Sequence, residues 1–99
     1  MPKFNDPPWH PITNPVDLKH LGKLGEETGE LSRIISRSII QGLSGIDPES
    51  GEVNHINLAK EMADVLAGIE LCCEHFGLSI DQVRVARKKE LQRLWHKEA

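Results

Sequence analysis

Glu27 and Glu30, and again Glu61 and Asp64, are acidic pairs whose members stand three residues apart. On a helix that spacing puts both carboxylates on nearly one face, where like charges destabilise by about 0.2–0.5 kcal/mol unless a cation lies between them. Carboxylate oxygens are the ligands that a hard divalent cation takes, so the chemistry these pairs suit is Mg²⁺ binding. Taken singly, each pair is explained by an ordinary solvated acidic helix margin.

Angular position says more than spacing. At about 100° per residue, with Glu27 at zero, Leu31, Leu24 and Ile35 fall at roughly 40°, 60° and 80° and Glu30 at roughly −60°. With Glu61 at zero, Val65 and Ile69 fall at roughly 40° and 80° and Asp64 at roughly −60°. Both segments therefore carry an acidic pair at the same margin of an apolar stripe. If they pack antiparallel through those stripes, the four carboxylates converge, and four close anions require a cation.

The elements that must hold them are helices. Asn14-Pro15 has the form of a helix start, with Asn as N-cap and Pro at the first helical position, opening a helix over 15–41. Gly22, Gly25 and Gly29 weaken that helix and imply a kink or the close approach of another helix or a ligand. The segment GLSGIDPESGEV (42–53) is a connecting loop that can serve as a lid. Asn54 is the expected cap of a second helix over 56–76, ended by Gly77. Ser79-Ile80-Asp81-Gln82 has the form of a capping box and opens a third helix over 80–96.

Five of the six prolines lie within the first 15 residues, so 1–14 is expected to be an extended arm carrying Phe4 and Trp9, with Trp9 packed on the body or on a neighbouring subunit. Residues 15–99 form one all-α domain. A chain of 99 residues buries only about 65% of its unfolded surface. The expected fold is therefore a bundle of three main helices completed by homo-oligomerisation, as a homodimer or homotetramer.

Composition excludes several function classes. With 12 basic and 15 acidic residues and no basic run, the chain does not suit nucleic acid. No apolar stretch is long enough for a bilayer, and the first residues lack the apolar core of a secretory signal, so no membrane partner and a cytoplasmic location are expected. Cys72 and Cys73 are adjacent in a helical pattern and read as reduced packing residues. The only Glu-x-x-His spacing, Glu52 to His55, falls at a loop boundary, and no paired histidines share a ligand spacing within a helix, which disfavours iron and zinc.

The stretches KLGEETGEL (23–31) and EMADVL (61–66) resemble the MazG-like all-α NTP pyrophosphatase superfamily, related to dimeric dUTPases and dCTP pyrophosphatases. Its pattern, Glu-x-x-Glu on one helix and Glu-x-x-Asp on the next, is matched in order, and the likeness extends over about 18–95. The resemblance implies hydrolysis of an NTP or dNTP between the α- and β-phosphates, giving the monophosphate and pyrophosphate. It also implies Mg²⁺, with Mn²⁺ as a substitute, held by Glu27, Glu30, Glu61 and Asp64 as the metal-binding and catalytic residues. Glu26 becomes a metal ligand or a group just behind one, and Arg87, Arg93 and Lys23 candidate phosphate contacts. The family's usual Lys and Asn on the third helix are replaced here by Arg87 and Leu91. The competing expectation is a non-catalytic helical interaction module, or a nucleotide sensor, that keeps the fold.

Overall fold

The structure, a computed structural model, describes residues 8–98, and side chains as far as residue 96. Among these residues all regular structure is helical, apart from one isolated antiparallel bridge between Ile46 and Val53. Helix α1 spans Pro15–Gln41 and α2 spans Asn54–Phe76. The expected third helix is present as two segments, α3 over Ile80–Val85 and α4 over Lys88–Glu98.

Local chemistry accounts for most boundaries. The Asn14 side chain accepts from the backbone N–H groups of Val16 and Asp17, satisfying donors that the first turn leaves free. Gly77 ends α2 at φ 71°, a left-handed conformation that glycine adopts without a side-chain clash. Ser79 accepts from the Gln82 N–H at the start of α3. Two expectations are corrected. Asn54 is not a cap: Val53 holds that position without a side-chain bond, and Asn54 is the first helical residue, fully buried. Its Nδ2 donates to Gln41 Oε1 at 3.1 Å and to the Gly42 carbonyl at 3.0 Å, so it ties the end of α1 to the start of α2. The third helix is interrupted by a turn at Ala86 and Arg87.

Helices α1 and α2 form an antiparallel hairpin. Near its open end the His75 and Asp17 side chains lie 2.7 Å apart, and the His75 ring stacks on His20 with centroids 4.0 Å apart. Further along, a Cβ on Gly68 would lie 3.2 Å from Leu24 Cδ1, so this glycine admits the close approach of α1. Helix α1 runs unbroken through Gly22, Gly25 and Gly29, and nothing lies within 4 Å of a Cβ built at any of them, so no neighbour within the described chain explains these glycines.

The core is small: among the described residues Ile34, Cys72 and Cys73 are the buried apolar ones, and both thiols are free. No Cα of α4 comes within 8 Å of one in α1 or α2. The radius of gyration is 17.9 Å, against about 13 Å for a compact chain of this length. Met62 and Leu66, at helical spacing with Ile69 along α2, are 55% and 50% exposed. Trp9 is 79% exposed and does not pack on the body of the chain, contrary to one of the two placements expected. Phe4 lies outside the described residues. No helix among the described residues is long and apolar enough to cross a membrane.

Candidate metal centre

Antiparallel packing sets the middle of α1 against the middle of α2, and there Glu27, Glu61 and Asp64 come together. Each offers a carboxylate oxygen, and the three oxygens lie within 4.8 Å of one another. Glu27 and Glu61 are partly shielded and Asp64 is exposed. Three hard oxygen donors from two helices, open on one side, suit a divalent cation that keeps some of its waters.

Electrostatics singles out Glu61. Burial raises its pKa first, and the neighbouring charges of Asp64, Glu30 and Glu27 raise it further, with Arg33 opposing. Glu30 is thus near enough for its charge to act on Glu61, yet it is not one of the three that share an oxygen cluster. Its Oε2 lies instead 3.6 Å from Arg33 Nε on its own helix.

The remaining residues singled out from the sequence are not gathered at this point. Glu26 Oε2 pairs with Lys23 Nζ at 3.1 Å, both side chains being exposed, so each is accounted for by the other. Arg93 pairs with Glu90 at 2.7 Å on α4, and Arg87 sits in the turn between α3 and α4. Lys60 donates to both carboxylate oxygens of Glu52, at 2.7 and 2.9 Å.

A second acidic centre was not read from the sequence. Asp47, in the loop between α1 and α2, has a fully buried side chain. It accepts from Ser50 Oγ at 3.0 Å, from the Glu49 N–H at 3.3 Å and from Asn57 Nδ2 at 3.5 Å. The Arg33 guanidinium lies 3.4 Å away and Arg37 Nε 3.8 Å away. Burial works against the Asp47 charge, but the Ser50 hydroxyl, the Glu49 N–H and Arg33 outweigh it, and the pKa is lowered.

The loop closes around this side chain. The Asp47 N–H donates to the Glu52 carbonyl, the Gly51 N–H to the Asp47 carbonyl, and the Asn54 N–H to the Gly45 carbonyl, each at 2.8 Å. At Gly45 a Cβ would lie 2.8 Å from Gln41 Cβ, so no larger residue fits without a shift. Segment 42–53 is therefore a clasp fastened to both helices rather than a free lid. The Asp47-Pro48-Glu49-Ser50-Gly51 run carried the turn signal for it, an Asp followed by Pro, Ser and Gly.

Compared with known protein families, characterised proteins and solved structures, the chain matches none.

Proposed function

We propose that this chain is a Mg²⁺-dependent nucleoside triphosphate pyrophosphohydrolase of the MazG-like kind, converting an NTP or dNTP and water to the monophosphate and pyrophosphate. The observation that carries the proposal is the juxtaposition of Glu27, Glu61 and Asp64 across two antiparallel helices, at the positions where the two sequence motifs match that family.

A divalent cation bound there would neutralise triphosphate oxygens and make a water more acidic. The chain's own contribution is to fix the carboxylates: α1 supplies Glu27 and Glu30, α2 supplies Glu61 and Asp64, and the hairpin sets their separation. A carboxylate outside the tightest coordination would orient or deprotonate the attacking water.

Self-association belongs to the same proposal. An apolar groove lined by Leu31, Met62, Val65, Leu66 and Ile69 stands open beside the acidic cluster, and α4 carries an exposed Trp95 without packing on the hairpin. Covering such surfaces with a second copy is the usual remedy for a chain with so small a core. A cytoplasmic location rests on the two free thiols. The same open apolar surface favours the second reading, a non-catalytic interaction module. Pyrophosphate release from a panel of NTPs and dNTPs with Mg²⁺ separates the two. Turnover of one nucleotide supports the enzyme, and a folded protein that turns over none of them supports the module.

A further inference from the structure

Resting on the divalent-cation reading above, we propose that Arg33 is a built-in counter-cation that holds Glu30 aside from Glu27, Glu61 and Asp64 until a metal ion takes its place.

The guanidinium stands between two acidic groups of different character. On one side its Nε is 3.6 Å from Glu30 Oε2. On the other its Nη1 is 3.4 Å from Asp47 Oδ2 and 3.3 Å from Glu49 Oε2. Asp47 is fully buried and is itself held by Ser50, Asn57 and the Glu49 N–H. Arg33 is therefore tied from the loop side, through Asp47 and Glu49, as well as to Glu30. Glu30, three residues from Glu27 on the same helix and exposed, has a free choice between this guanidinium and an ion among the other three carboxylates. Without an ion, Arg33 offsets the mutual repulsion of the four acids. With one, the Arg33–Glu30 pair competes with coordination, and the positive charge of Arg33 opposes that of the metal.

The sign of one substitution separates this role from two others. A residue that only pins the loop would, on removal, lower stability and leave metal affinity unchanged. A residue that only contacts phosphate would alter nucleotide affinity and leave binding of the metal alone unchanged. A counter-cation, once removed, leaves the metal-free protein less stable and the metal more tightly bound.

The experiment uses the full chain without nucleotide and titrates Mn²⁺ and Mg²⁺ by calorimetry, with melting curves in parallel. Relative to wild type, Arg33→Gln is expected to bind Mn²⁺ about fivefold more tightly, about twofold from the lost repulsion between the guanidinium and the ion and the rest from the release of Glu30. Arg33→Lys, which keeps the charge, stays close to wild type. In a Glu30→Gln background the gain from Arg33→Gln shrinks to about twofold or less, because the competing pair no longer exists. Unchanged or weaker binding by Arg33→Gln overturns the proposal, as does an equal gain with Glu30 present and absent. Wild-type protein that binds neither ion overturns the metal reading itself, a failure visible before any variant is compared. If Arg33→Gln does not fold, the Arg33 Nε–H resonance of the wild type decides. Mg²⁺ is expected to shift it as Glu30 departs, and an unmoved resonance overturns the proposal.

Discussion

Asp47 and Glu61 are both acids shielded by the α1–α2 hairpin, and their surroundings push them in opposite directions. Asp47 is fully buried yet surrounded by donors, a hydroxyl, an amide, a backbone N–H and two guanidinium groups, so its charged form is favoured. Glu61 is less buried, but burial is still the first cause that raises its pKa and the charges of Asp64, Glu30 and Glu27 add to it, so its charged form is disfavoured. The difference teaches how to tell a structural acid from a candidate ligand. Burial of a carboxylate is a structural feature where the protein supplies the donors, and points to an external cation where it supplies more carboxylates.

The largest expected effect tests the uncompensated centre. Glu61→Gln should lower pyrophosphate release by at least about a hundredfold and abolish any rise in melting temperature on adding Mg²⁺. Its metal-free stability should move the other way. The Glu61 pKa lies above its ordinary value of 4.5, so the stability linked to this group is full below that pH and is lost as pH rises through the raised pKa. At neutral pH without metal the charged Glu61 costs stability, and the Gln variant should melt above wild type. A lower melting temperature for metal-free Glu61→Gln would break the contrast with Asp47.

Asp47→Asn should do the reverse, melting several degrees below wild type at pH 7. The Asp47 pKa lies below its ordinary value of 3.8, so its contribution is present above that pH and is lost as pH falls through the lowered pKa. The gap between the variant and wild type should therefore close in melting curves taken at decreasing pH below about 4. A gap that persists in acid would mean that shape, and not charge, holds the clasp.

Smaller effects sharpen the account of the clasp. Asn54→Ala removes the two bonds to Gln41 and Gly42 and should cost about 1–3 kcal/mol in urea unfolding. Ser50→Ala removes one donor to Asp47 and should cost about 1 kcal/mol. Lys60→Ala breaks only an exposed pair with Glu52 and should stay within about 0.5 kcal/mol of wild type. A Lys60 effect as large as that of Ser50 would show that exposed ion pairs carry more of this loop than its buried polar contacts.

How far the chain could be read in advance differs from region to region. The start of α1 at Asn14-Pro15 and the end of α2 at Gly77 were legible because each rests on backbone chemistry within four residues. Convergence of Glu27 with Glu61 and Asp64 was legible because their shared offset from the apolar stripes survives once the helices pack antiparallel. Glu30 has the same offset, yet its Oε2 lies 3.6 Å from Arg33 Nε, three residues on along the same helix, and it stays outside the oxygen cluster. Asn54 looked like a cap from its position before an apolar run. The side chain turns instead to Gln41 and Gly42, thirteen and twelve residues away. The uninterrupted third helix failed at Ala86-Arg87: beyond this turn α4 makes no contact with the hairpin, and short helices depend on such packing.

By itself, then, the sequence determined an all-helical chain, the course of its two long helices and the facing of two acidic margins, because these follow from local propensity and period. Tertiary structure alone decided that the linking segment closes on a buried Asp47, that Asn54 spans the hairpin and that Arg33 reaches Asp47. Those arrangements depend on which polar groups lose water together when two distant stretches meet, and residue order along the chain does not specify the partner.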